Sequence, residues 1–145
     1  IISGPDVKKG TVDDIGSQTD IFKTFLSLAN IKSKFSSIDS FDLSETIRKG
    51  KPSKRKFIPY FVGSELRAFR YKNHKIHFIT QGAYNMPPPR ELHEKPLLYD
   101  LSKDIGESQD ISEIDTKTLE IIIKESELFK KDLIIRKSIV DVQFQ

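Results

Sequence analysis

Between Thr19 and Ala29 the apolar residues Ile21, Phe22, Phe25, Leu26, Leu28 and Ala29 recur at helical spacing, with Thr19 or Asp20 placed to cap the start. Asn30 tolerates the left-handed backbone that closes a helix, so the pattern predicts an end there. Upstream, Gly4, Pro5, Gly10 and Gly16 punctuate a loop in which Thr11 to Ile15 reads as an edge strand. Downstream, residues 32 to 56 are rich in Ser and Lys, and Phe41, Leu43 and Ile47 predict one or two helical turns before Gly50 and Pro52.

The pattern then changes period. Phe57 to Val62, Leu66 to Tyr71 and Lys75 to Thr80 are rich in aromatic and β-branched residues, and Gly63-Ser64 and Lys72-Asn73-His74 separate them. Short strands joined by tight turns predict an antiparallel meander. Alternation sets Leu66 and Ala68 against Arg67 and Phe69, and Ile76 and Phe78 against His77 and Ile79, so one sheet face needs a cover. Met86-Pro87-Pro88-Pro89 cannot donate to a ladder and predicts an extended loop, after which Leu97 to Leu101 reads as a further strand. After Asp104-Ile105-Gly106-Glu107, a cap at Asp115 or Thr116 opens a long helix striped by Leu119, Ile122, Ile123, Phe129 and Leu133. That stripe is the natural cover. The expected fold class is therefore α+β, an N-terminal helix, an antiparallel sheet of about four strands and a long C-terminal helix across one face. Ser138 to Gln145 has near-alternating Ile139, Val140, Val142 and Phe144, which predicts a strand or a self-association segment.

A chain of 145 residues with 37% hydrophobic and 31% charged positions is long enough for one domain with its own core. No apolar run approaches the roughly 20 residues of a membrane span. Ile1 rather than Met at the start, with no signal-peptide pattern, leads us to expect a processed or truncated chain. The formal net charge of +3 is too small to predict a nucleic-acid partner. The acidic charge is segregated, with nine Asp and Glu between Asp100 and Glu127 against Lys103, Lys117 and Lys124. The absence of Cys removes thiol nucleophiles and Cys-bound metals. No Gly-rich phosphate loop, metalloprotease helix, serine elbow or EF-hand spacing occurs. His74 and His77 point to opposite faces of a strand, so no metal site is expected from them, and His93 reads as a solvated loop residue. The densest basic stretch, Arg48, Lys49, Lys51, Lys54, Arg55 and Lys56, reads first as a solvated loop and second as an anion-binding patch.

Two ordered runs carry a family resemblance. Leu66-Arg67-Ala68-Phe69-Arg70 through Lys75-Ile76-His77-Phe78 to Gln81-Gly82 resembles the C-terminal subdomain of arylsulfatases, where an A-x-R strand leads into K-x-H-F. Lys95-Pro96-Leu97-Leu98-Tyr99-Asp100-Leu101 to Asp104-Ile105-Gly106-Glu107 is similar to that family's P-P-L-L-Y-D-L-x-x-D-P-G-E signature. Upstream, Thr19 to Ala29 is similar to the D-L-x-P-T-L-x-x-L-A-G helix of the large sulfatase domain, and Asp39 to Leu43 to the D-G-x-D-L after it. Lys23, Asn30 and Ile105 depart from the family's Pro, Gly and Pro at points of punctuation. Ser3-Gly4-Pro5-Asp6-Val7 lacks the Arg of the [CS]-x-P-x-R nucleophile motif.

The resemblance implies that residues 1–50 end the large sulfatase domain and residues 51–145 form the C-terminal subdomain. It implies a parent that hydrolyses sulfate esters with a formylglycine residue and a divalent cation, calcium, neither held by this fragment. The isolated fragment is then expected to be inactive, with no catalytic residue and no metal ligand of its own. The implied partners are the N-terminal catalytic domain of the same parent and, in that parent, a sulfated small molecule or glycan. Neither a membrane nor a nucleic acid is expected as a partner, and the exposed domain interface could self-associate. The parent would be periplasmic, secreted or lysosomal. The family often places a His eight residues past the K-x-H-F His, where this chain has Asn85 after Tyr84. An aromatic ring and an amide suit a sugar or aryl ring, so Tyr84 and Asn85 are the substrate-rim candidates, with His77 and Gln81 behind them. The alternative is a free-standing anion-binding module that uses the basic cluster at 48–56.

Overall fold

A computed structural model describes residues 1–32 and 39–134, apart from the Asn85 side chain. The predicted segment Ser138 to Gln145 lies outside the described residues. The chain divides into two compact units, the first ending at Ile58 and the second starting at Pro59.

The first unit holds α1 (Asp20–Leu28) and α2 (Ser44–Lys49). Helix α1 forms where the spacing predicts it and ends as predicted. Asn30 takes φ 56°, and the Ile31 N–H reaches back to Leu26 O at 2.8 Å, the wide closing bond of a left-handed C-terminal turn. Its start differs from expectation, since Thr19 occupies the N-cap without a capping bond from its side chain. Thr11 to Ile15 forms no strand. Ile15 is nonetheless buried, so its apolar side chain serves packing rather than a ladder. Helix α2 closes on Gly50 at φ 65°, the left-handed position that Gly fills without strain.

Helix α1 is inside out. Its buried positions are Asp20 and Thr24, while Ile21, Phe22 and Phe25 are 50%, 46% and 59% exposed. Its polar side chains are occupied by residues that follow in the same unit. Asp20 Oδ1 accepts from Phe41 N at 2.8 Å, Thr24 Oγ1 from Leu43 N at 3.0 Å, and Ser27 Oγ lies 3.1 Å from Ser44 Oγ. At the centre Arg55 donates through Nη2 and Nε to the two Asp20 oxygens at 2.6 and 2.7 Å. Burial alone would raise the Asp20 carboxyl, but the Arg55 bond and the Phe41 and Ser17 N–H groups hold it below its usual value.

The second unit is built on a sheet in the order β1 (Phe57–Val62), β2 (Glu65–Tyr71), β3 (His74–Thr80) and β4 (Glu91–Asp100). The β2–β3 and β3–β4 pairs are antiparallel. Turns at Gly63-Ser64 and Lys72-Asn73 join the first three strands, with Gly63 and Lys72 at φ 60° and 52°. Strand β4 corrects the expectation, because it starts at Glu91 rather than Leu97 and runs through Pro96. Ile79 pairs with Leu92 while His77 pairs with Leu97, so a bulge absorbs residues 93–96 and Pro96 owes the ladder no donor.

The register puts Phe69, Ile76 and Leu98 side by side, and all three are fully buried. Helix α3 (Thr116–Asp132) covers them. Asp115 caps it by accepting from Thr118 N at 3.1 Å. Leu119 and Ile122 are buried from its stripe, and the Phe129 ring stands 5.8 Å from Phe69 and 6.2 Å from Phe61. The architecture is the α+β arrangement the pattern predicts.

Candidate functional site

The face of the sheet opposite α3 carries Ala68, His77 and Leu97 as cross-strand neighbours, with Lys75 beside Tyr99. Glu107 binds two side chains of that face, Lys75 and the rim candidate His77. Its Oε1 accepts from Lys75 Nζ and its Oε2 meets His77 Nε2, each at 2.6 Å. The His77 ring stands edge-on to Tyr99 at 5.6 Å, and Lys75 Nζ lies 4.8 Å from the Tyr60 ring centre. Glu107 sits at φ 54°, a left-handed backbone that a non-glycine residue adopts only when its surroundings hold it there.

The acidic residues around Glu107 shape the loop. Asp104 Oδ2 accepts from Ser108 N and Gln109 N at 2.8 Å each, and Asp110 Oδ1 from Leu98 N and Ser112 N at 2.9 Å each. These carboxylates satisfy backbone donors and present Glu107 to the sheet. Sequence reasoning missed Glu107, although the Lys75-x-His77 pair on one strand face was the signal for a carboxylate between them.

His77 and Glu107 couple stability to pH. Burial, then the Lys75 charge, pushes the His77 imidazole below its ordinary value. Burial would raise Glu107, but the hydrogen bond and charge of Lys75, with the bond to His77, hold it low. An unfolded His takes up a proton near pH 6.5 that the folded site resists, so stability falls as pH drops through about 6.5. The contribution of Glu107 is kept down to the ordinary carboxylate range near pH 4.3 and lost below it. The thermal midpoint should fall from about pH 7.5 to about 5.5, and His77→Gln should remove most of that slope. An unchanged slope in the variant contradicts the assignment.

Above this cluster, at the end of β3, opens a cleft of about 450 Å³ lined by Val62, Arg67, His77, Thr80, Gln81 and Tyr84, among others. Three of the four rim candidates, His77, Gln81 and Tyr84, share its wall. Asn85 closes the short 3-10 turn Ala83–Asn85 beside it. Tyr84 is 98% exposed and takes φ 53°, ψ 37°, so the loop holds a large aromatic in solvent on a strained backbone. Gly82 explains how the loop keeps this shape. Its N–H donates to Pro88 O at 2.8 Å, and a Cβ there would lie 1.9 Å from Met86 O, so no other residue fits. His93 corrects its reading as a solvated residue, since it lies in β4 with Nε2 2.8 Å from Thr80 Oγ1.

The basic cluster is largely committed. Lys49 and Lys51 both hold Glu45, at 2.9 Å each, which lowers its carboxyl to about 2. Arg48 reaches Asp6 at 3.8 Å and Leu28 O at 3.4 Å. Arg55 corrects the patch reading, being 7% exposed and bound to Asp20, Thr19 Oγ1, Asp39 O and Phe57 O. Lys54 and Lys56 remain exposed. Among the described residues no group of three or more His, Cys, Asp or Glu could hold a metal ion. A calcium centre does not fit them. No helix among them is long and apolar enough to cross a membrane.

Residues 53–143 match the family profile described as the C-terminal region of aryl-sulfatase. The chain is 30% identical over 120 residues to human arylsulfatase A, covering 72% of this chain and 24% of that protein. Against bovine arylsulfatase A it is 29% identical over 143 residues, covering 86% and 28%. Its fold superposes on a Pseudoalteromonas sulfatase with TM-score 0.64 at 19% identity, over 77% of this chain and 25% of that one. A sulfatase from a Bacteroides thetaiotaomicron locus that metabolises multiple glycosaminoglycans gives 0.59 at 21% identity, over 77% and 24%. An antiparallel four-strand sheet covered by one long helix is thus a sulfatase fold element. The chain belongs to the aryl-sulfatase family, and its matched residues are that family's C-terminal region. It spans about a quarter of the length of the relatives it matches.

Proposed function

We propose that this chain serves as the C-terminal part of an enzyme that hydrolyses sulfate esters, docking on a catalytic domain and lending the loop at 81–85 to the rim of its substrate pocket. In this reading residues 1–50 complete the large domain and residues 51–145 form the subdomain. The observation that carries it is α1, which spends its polar side chains on its own unit and turns Ile21 and Phe25 outward. A helix so arranged has an apolar face without a cover in its unit, as expected where a larger body packs on it. The catalytic domain is the partner of that face.

The reaction needs a strong nucleophile and positive charge against the oxygens of the departing sulfate. In the family a formylglycine residue and a divalent cation, calcium, supply these, and here they fall to the catalytic domain. The contribution of this chain is to orient the rest of the substrate, with Tyr84 stacking on a sugar or aryl ring and Asn85, Gln81 and His77 around it. A secreted, periplasmic or lysosomal location follows from the family, and sulfated small molecules or glycans are the substrate class. The free-standing anion module gains no support, because Arg48, Lys49, Lys51 and Arg55 already hold acidic partners.

Tyr84→Ala in the polypeptide that joins this chain to its catalytic domain tests the rim. Loss of one stacking contact predicts about a threefold to tenfold rise in KM for an aryl sulfate, with kcat within about twofold. An unchanged KM overturns the role of Tyr84. The side chain is nearly fully exposed, so its removal should leave stability within about 0.5 kcal/mol.

A further inference from the structure

We propose that the cleft at the end of β3 contains an anion site centred on Arg67, which takes the charged group of a sulfated saccharide whose ring stacks on Tyr84. The saccharide chemistry rests on the rim reading above, whereas the anion site stands on its own geometry.

Arg67 lies in β2, lines the cleft and keeps only 16% of its side chain exposed. Its Nη1 donates to Gln81 Oε1 at 2.8 Å, which fixes the guanidinium plane and ties it to the loop that carries Tyr84. Its Nε is 2.7 Å from Glu65 Oε2, yet it is buried without a hydrogen-bonding partner in line. The ion pair is therefore close but misdirected. Among the described residues the guanidinium makes no further hydrogen bond, so these residues leave some of its five N–H groups unused.

The local charge points the same way. Glu65 also accepts from Arg90 Nη2 at 2.6 Å, so two arginines share one carboxylate and the group keeps one positive charge. Glu91, opposite Thr80 across the β3–β4 pair, is 69% exposed and lies 3.8 Å from His93 Nδ1. Lys75 and Glu107 neutralise each other below the cleft. A permanent, half-desolvated guanidinium with spare donors is suited to a tetrahedral oxyanion, which it can meet with two parallel N–H bonds. An amide, a hydroxyl at Thr80 and the flat face of Tyr84 complete a wall that fits a sugar ring better than a bare ion.

The test is direct binding to the whole chain, followed by amide NMR shifts, with glucose 6-sulfate, glucose and sodium sulfate as probes. Glucose 6-sulfate should bind at the cleft, and glucose should bind at least about tenfold more weakly, the worth of one charge-assisted contact. Sodium sulfate should bind about threefold or more weaker than the sulfated sugar, the share of the stacked ring. Arg67→Gln should weaken glucose 6-sulfate about tenfold, and Arg67→Lys should recover part of it. Tyr84→Ala, at an exposed position that does not threaten the fold, should bring the sulfated sugar down to the level of sodium sulfate. Equal binding by wild type and Arg67→Gln, or no binding by wild type, overturns the site. Equal affinity for sodium sulfate and glucose 6-sulfate overturns the saccharide ligand. Because the readout needs no turnover, its failure is separate from failure of the rim prediction for KM.

Discussion

Arg55→Ala is expected to cost about 3–5 kcal/mol of stability, because it leaves the Asp20 carboxylate buried with its charge uncompensated. Asp20 is 1% exposed and Arg55 7%, so water cannot take over the lost partner. The guanidinium also donates to Asp39 O at 2.9 Å and Thr19 Oγ1 at 3.2 Å, and these acceptors would be orphaned together. The Phe41 ring, 4.6 Å below the guanidinium carbon, would lose its cationic neighbour. Urea unfolding followed by circular dichroism measures the loss. Removing both charges at once with Asp20→Asn and Arg55→Met should cost less than Arg55→Ala, since no ion is then stranded. A loss below about 1 kcal/mol in the single variant contradicts a buried pair.

Phe69→Ala is expected to cost about 3–5 kcal/mol in the second unit. Phe69 is fully buried, pairs with Ile76 across β2 and β3 and faces Phe129 of α3 at 5.8 Å. Its removal takes away the transfer free energy of a phenyl ring and leaves a cavity that strands on both sides prevent from collapsing. The same urea measurement applies, and a loss under about 1.5 kcal/mol would mean that α3 does not seal this face. Phe69→Leu keeps most of the volume and should cost far less.

The meander was legible because its signals are local. Gly63-Ser64 and Lys72-Asn73 mark turns between runs of β-branched and aromatic residues, and the strands end within a residue of where those turns place them. Asp115 and the stripe beginning at Leu119 likewise announced α3. Strand β4 was misread because the prolines at 87–89 drew the loop too far along the chain, and only the partner strand reveals the bulge that lets Pro96 sit within the strand. The periodicity of α1 showed that one face is apolar. It could not show that this face would be left outward, since that depends on Asp20, Thr24 and Ser27 finding partners some 17 to 35 residues away. Arg55 hid in a run of cations for the same reason.

The candidate site divides along the same line. Tyr84, Asn85, Gln81 and His77 were singled out by resemblance and loop chemistry, and the backbone gathers three of their side chains at one cleft. Arg67 escaped notice because alternation does no more than set it on one strand face with Phe69. Its placement depends on Gln81 and Glu65, which no local pattern connects to it.

In the proposed assembly this chain completes a catalytic domain through the apolar face of α1. Producing the chain and the catalytic segment as separate polypeptides, and following co-purification and aryl sulfate hydrolysis, tests this assembly. A one-to-one complex that hydrolyses the ester is expected, while neither part does so alone. The exposed double substitution Ile21→Ser and Phe25→Ser should abolish both binding and activity with the chain still folded. Hydrolysis by the chain alone, or a complex that forms equally well with both substitutions, would contradict the assembly.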